Sequence, residues 1–60
     1  MGLKEKFLQA YSNLPLGMRK EIIVVIDKEP FTWNAVYIEV YNDTTKSDIL
    51  LSKLVELKIL

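Results

Sequence analysis

The residues Glu21-Ile22-Ile23-Val24-Val25-Ile26-Asp27-Lys28-Glu29-Pro30-Phe31-Thr32-Trp33 decide the fold of this 60-residue chain. From Ile22 to Ile26 every side chain is β-branched and the run is bounded by charges, the pattern of a buried strand. The wider segment from Leu16 to Lys28 also carries Met18, Ile22, Val25 and Ile26 at helical spacing, with Arg19, Lys20 and Glu21 early in it. Periodicity does not arbitrate within so short an apolar run. Asp27-Lys28-Glu29-Pro30 breaks the chain under either reading.

Downstream, Thr32 is placed to cap a helix, its hydroxyl accepting from backbone N–H groups ahead of it. Trp33, Val36, Tyr37 and Val40 then share a helical face. A strand competes here as well, because Val36, Ile38 and Val40 alternate with Tyr37, Glu39 and Tyr41. A polar turn, Asn42-Asp43-Thr44-Thr45, leads into a segment with one reading only. Thr44 or Thr45 is its N-cap, and Asp48 favours the positive helix end. Ser47, Leu50, Leu51, Leu54 and Leu57 line one face, while Lys46, Asp48, Ile49, Ser52, Lys53 and Glu56 line the other. Lys58-Ile59-Leu60 is a short extended end. Upstream, Leu3, Phe7, Ala10, Tyr11 and Leu14 recur at spacings of three and four and predict an amphipathic helix, stopped before Pro15.

Two architectures follow. One is all-α, a leading helix over residues 1–13 and a three-helix core over 14–60 with an optional terminal strand. The other is α+β, a helix, a β-hairpin and a helix, and local propensity leans towards it. Either makes a single domain near the lower size limit for independent folding.

Composition excludes several functions. With no cysteine and no histidine, the chain lacks a disulfide, a thiol nucleophile, the usual zinc ligands and the commonest general base. Its acidic residues are scattered, with no carboxylate dyad or metal cage, and neither glycine sits in a phosphate loop. No catalytic residue, metal or cofactor is expected, and the chain does not read as an enzyme. The start is charged and lacks a long apolar stretch, so no signal peptide is expected. The longest apolar run is far too short to span a membrane, and the default is a cytoplasmic protein. Eight basic residues balance eight acidic ones. Phosphate neutralisation supplies most nucleic-acid affinity, so that balance gives DNA binding little electrostatic drive.

From Leu14 to Leu60 the chain resembles small archaeal and bacterial winged-helix regulators. Arg19 with Ile22 and Ile23 matches the first helix of that pattern. Pro30-Phe31-Thr32 matches the step that opens the second helix. Leu51, Leu54 and Leu57, followed by Ile59 and Leu60, match the end of the third helix and the start of the wing. Lys58 stands where the pattern has a glycine, Tyr37 where it has a small residue and Tyr41 where it has the turn glycine. The chain ends at Leu60, so the resemblance is to a wingless form. It implies the all-α architecture, and as function a helix-turn-helix transcriptional regulator that contacts duplex DNA through its last helix.

On that reading Thr44, Thr45, Lys46, Ile49 and Lys53 point into the major groove, and Arg19 and Lys20 add phosphate contacts. The aromatic stripe of Phe31, Trp33, Tyr37 and Tyr41 is expected to be core rather than a stacking platform. Leu3, Phe7 and Tyr11 on the leading helix are candidates for a homodimer interface, since helix-turn-helix units commonly read half-sites in pairs. The rival reading is a protein–protein interaction module on the same scaffold without DNA, with another protein as partner.

Overall fold

A computed structural model describes residues 2–60. The fold is α+β rather than all-α. Among the described residues the order is α1 (Leu3–Ser12), a 3-10 turn (Leu16–Lys20), β1 (Ile22–Ile26), β2 (Glu29–Thr32), α2 (Trp33–Tyr41) and α3 (Thr45–Glu56). The expected helix over 16–28 is thus replaced by a 3-10 turn and a strand. The β-branched run decides this, because each such side chain loses more rotamer freedom in a helix than in a strand.

β1 and β2 pair antiparallel, with Val24 opposite Phe31, Val25 opposite Pro30 and Ile26 opposite Glu29. A shift between Ile22 and Val24 leaves Ile23 as an extra residue, a β-bulge. The turn between the strands is only Asp27-Lys28, with φ of 50° and 68°. Two consecutive left-handed residues make the type I′ geometry that matches strand twist. Pro30 is tolerated because β2 has a neighbour on one side only. The α+β alternative placed the second strand at Val36–Tyr41, and that too is corrected. Val36 and Val40 are buried one helical turn apart while Ile38 is exposed, which is helix periodicity.

Thr32 ends β2 and caps α2, its Oγ1 accepting from the Ala35 backbone N–H at 3.1 Å. The C-termini of α2 and α3 close in the same way. At the end of α2, Asp43 N–H donates to Val40 O and Thr44 N–H to Glu39 O. At the end of α3, Lys58 N–H donates to Val55 O and Ile59 N–H to Leu54 O. These paired bonds are Schellman motifs, and each needs a left-handed residue after the cap. Asp43 (φ 51°) and Lys58 (φ 62°) fill those places. The strained turn residue is therefore Asp43, not Tyr41, whereas Lys58 is left-handed where the resembled pattern has glycine.

Phe7 of α1, Val24 and Phe31 of the hairpin, Val36 and Val40 of α2, and Leu50, Leu51 and Leu54 of α3 form one buried cluster. Full burial of each such side chain contributes about 1.5–3 kcal/mol. Every α-helix and both strands thus share a single core. The leading helix is not an appendage to a self-sufficient three-helix unit, because Phe7 is 0% exposed at its centre.

Candidate functional site

α2 and α3 are joined by three residues, Asn42 to Thr44. α3 turns Ser47, Leu50, Leu51 and Leu54 inward and leaves Thr45, Lys46, Asp48, Ile49 and Ser52 exposed. Ile49 is 56% exposed. It stands among polar neighbours on this face, and Val55 is a second exposed aliphatic further along the helix.

The hairpin supplies the other wall. A hollow of about 240 Å³ between the hairpin tip and the first turns of α3 is lined by Ile26, Phe31, Ile49 and Leu50, with Asp27, Glu29 and Lys46 at its rim. A shallower hollow continues along α3 past Asp48, Ser52, Lys53 and Glu56, and it shares Ile26 and Ile49 with the first. Together they form one groove with an aliphatic floor.

The charges on this groove are not those of a phosphate-binding face. Asp27, Glu29, Asp48 and Glu56 supply four carboxylates against the ammonium groups of Lys46 and Lys53, a net charge of minus two. Lys46 Nζ lies 3.5 Å from Glu29 Oε1 and 5.8 Å from the Phe31 ring centre. Lys53 Nζ lies 3.5 Å from Glu56 Oε1. Such exposed pairs add about 0–1 kcal/mol each to stability, but they set the local field that a ligand meets.

The other residues expected at a DNA surface lie elsewhere or are engaged. Thr44 Oγ1 donates to Glu39 Oε1 at 3.2 Å rather than capping α3 through its side chain. Arg19 sits with its guanidinium carbon 4.4 Å from the Tyr11 ring centre and donates from Nη2 to the Tyr11 carbonyl at 3.2 Å. Tyr11 in turn stacks on Tyr37 at 4.3 Å and donates its hydroxyl to Asn34 Oδ1. The hollow at Arg19 is lined by residues of α1 and α2, and by none from α3. Lys20 is exposed at the end of the 3-10 turn. Arg19 and Lys20 thus stand on the 3-10 turn, while Thr45, Lys46, Ile49 and Lys53 stand on α3.

The stripe assigned to a dimer contact is also largely used within the chain. Phe7 stacks on Trp33 at 5.7 Å and on Tyr11 at 6.1 Å, and of the three only Leu3 is exposed, at 39%. Lys4, beside it, reaches Asp43 at 2.9 Å and ties α1 to the α2–α3 turn. Of the aromatic stripe, Phe31 is core, Trp33 and Tyr37 are half-buried and Tyr41 is exposed.

The hairpin side of the groove, Ile26, Asp27, Glu29 and Phe31, was missed by sequence reasoning. Their signal was the β-branched run followed by two residues able to turn left-handed. Among the described residues no group of three or more histidine, cysteine or carboxylate side chains is placed to hold a metal ion. No described helix is long and apolar enough to cross a membrane. Comparison with protein-family models, with curated proteins and with solved structures finds no match to this chain.

Proposed function

We propose that this protein is an interaction module that captures a protein partner in the groove between its hairpin and α3. One observation carries the reading. The open face of α3 centres on an exposed isoleucine, backed by Ile26, inside a rim of net negative charge. An exposed aliphatic group flanked by polar residues is a plausible anchor for a protein contact. The same face is a poor reader of duplex DNA. Seating the first turns of α3 in a major groove carries Asp27, Glu29 and Asp48 towards the phosphates together with Lys46, and the attraction that dominates DNA affinity cancels.

The second reading, a DNA-binding regulator of the winged-helix kind, draws on the helix-turn-helix arrangement of α2 and α3 and on Thr45, Lys46, Ile49 and Lys53 lying along the outer helix. A helix-turn-helix scaffold serves both uses, so the face and not the fold separates them.

A gel-shift titration with mixed-sequence duplex at low and moderate salt makes the distinction. As an interaction module, the wild type gives no shift even at low salt, and Lys46→Glu combined with Lys53→Glu changes nothing. Duplex binding that weakens with salt and disappears in that double variant overturns the proposal in favour of the second reading.

A further inference from the structure

The chemistry of the groove narrows the partner. Resting on the interaction-module reading, we infer that the ligand is a cationic peptide segment that seats an aliphatic side chain between Ile26 and Ile49 and places lysine or arginine against the acidic rim. The floor sets the first requirement. Ile26, Ile49 and the edges of Phe31 and Leu50 present an apolar hollow of about 240 Å³, room for a leucine- or isoleucine-sized group.

The rim sets the second requirement. Glu29 and Glu56 each hold a lysine at 3.5 Å, the long limit of such a contact, with both partners substantially exposed. Asp27 and Asp48 have no ion-pair partner among the described residues. The carboxylates lie at both ends of the aliphatic floor, Asp27 and Glu29 at the hairpin tip and Glu56 near the end of α3. From Lys46 to Glu56 the groove follows α3 for about 15 Å at 1.5 Å per residue. A segment with cations on either side of a central aliphatic residue matches that layout. An acidic segment meets net repulsion.

The test is a random peptide-display library panned against the 60-residue protein, with enriched peptides synthesised and titrated by fluorescence anisotropy. The expected peptides carry net positive charge around a leucine or isoleucine, and they bind more weakly as salt rises. Ile49→Asp weakens them at least tenfold, and so does Asp48→Lys combined with Glu56→Lys. All three positions are exposed, and circular dichroism checks that each variant keeps the wild-type fold. Amide shifts on binding concentrate at residues 26–29 and 46–56.

Three outcomes overturn the inference. Enriched peptides that are neutral or acidic, or binding insensitive to the Asp48/Glu56 charge reversal, refute the charge requirement, while loss of binding in Ile49→Asp leaves the interaction module standing. Failure of the library to enrich any peptide for the groove refutes the segment itself. Salt-sensitive duplex binding lost in Lys46→Glu with Lys53→Glu removes the reading beneath both.

Discussion

Phe7→Ala tests the role of the leading helix and the integrity of the core at once. Phe7 is 0% exposed and packs between the ring of Trp33 and the aliphatic core of α2 and α3. Removing a buried phenyl group costs about 3–5 kcal/mol, from lost transfer energy plus the cavity left behind. A 60-residue chain has about 3–9 kcal/mol in total, at about 0.05–0.15 kcal/mol per residue. The variant is therefore expected to lose most of its stability and to be partly unfolded at 25 °C. In urea, with a slope of about 1 kcal/mol per molar for a domain this small, the midpoint falls by about 3 M or vanishes into the baseline.

Far-UV circular dichroism reads the transition, and Phe7→Leu, which keeps most of the volume, is the companion variant with a loss below about 1.5 kcal/mol. A loss under about 1 kcal/mol in Phe7→Ala, with a cooperative transition retained, refutes the placement of α1 in the core. Concentration separates the internal role from a shared one. If Phe7 completes its own chain's core, the wild-type melting temperature does not change with protein concentration. A rise across a hundredfold concentration range instead assigns the contact to a second copy.

Two further changes probe the backbone that positions α2 and α3. Lys58→Gly relieves a left-handed residue at the end of α3 and is expected to stabilise the protein by about 1 kcal/mol, read as a higher urea midpoint; an unchanged or lower midpoint contradicts the Schellman closure. Thr32→Ala removes the side-chain bond to the Ala35 N–H and is expected to cost about 1 kcal/mol, whereas a change near zero shows that the hydroxyl does not cap α2.

How far the sequence reaches is clearest at its two ends. α3 is legible because its leucines fall on a single face and no β-branched run competes; Ser47, Leu50, Leu51 and Leu54 are buried as their spacing predicts, and only Leu57 of that face is left exposed. The face of α1 and its stop before Pro15 are equally plain. The middle is harder for physical reasons. Asp27-Lys28 makes a type I′ turn without the glycine that normally signals one, at the cost of left-handed strain in two residues. Pro30 speaks against a strand, yet it lies on an edge strand, where a missing N–H is tolerated. Thr32 serves as the last residue of β2 and as the cap of α2, so cap and strand overlap. In α2, Val36 and Val40 satisfy a period of two as well as a turn of helix, and only the exposure of Ile38 separates the two. The resemblance compounds the difficulty, because the residues it assigned to a first helix, Arg19, Ile22 and Ile23, lie in the 3-10 turn and β1.

The candidate site follows the same logic. The α3 half was visible in the sequence as an isoleucine set among polar residues. The hairpin half was not, because it depends on Ile26 and Glu29 arriving beside Ile49 and Lys46, some twenty residues away in sequence. That arrival changes what the helix offers. Read alone, the outer face of α3 sets Lys46 and Lys53 against Asp48 and Glu56; the hairpin adds Asp27 and Glu29, and Glu29 lies 3.5 Å from Lys46. The chain as a whole carries eight charges of each sign, so a groove of minus two leaves plus two over the rest of the surface. Neutral overall charge thus conceals a polarity. The groove along α3 is the acidic side, and Arg19 is held on a tyrosine ring in a hollow lined by α1 and α2. On the proposed reading, a partner steered by this field is drawn in with its cations towards α3, where exposed Ile49 and half-buried Ile26 meet it.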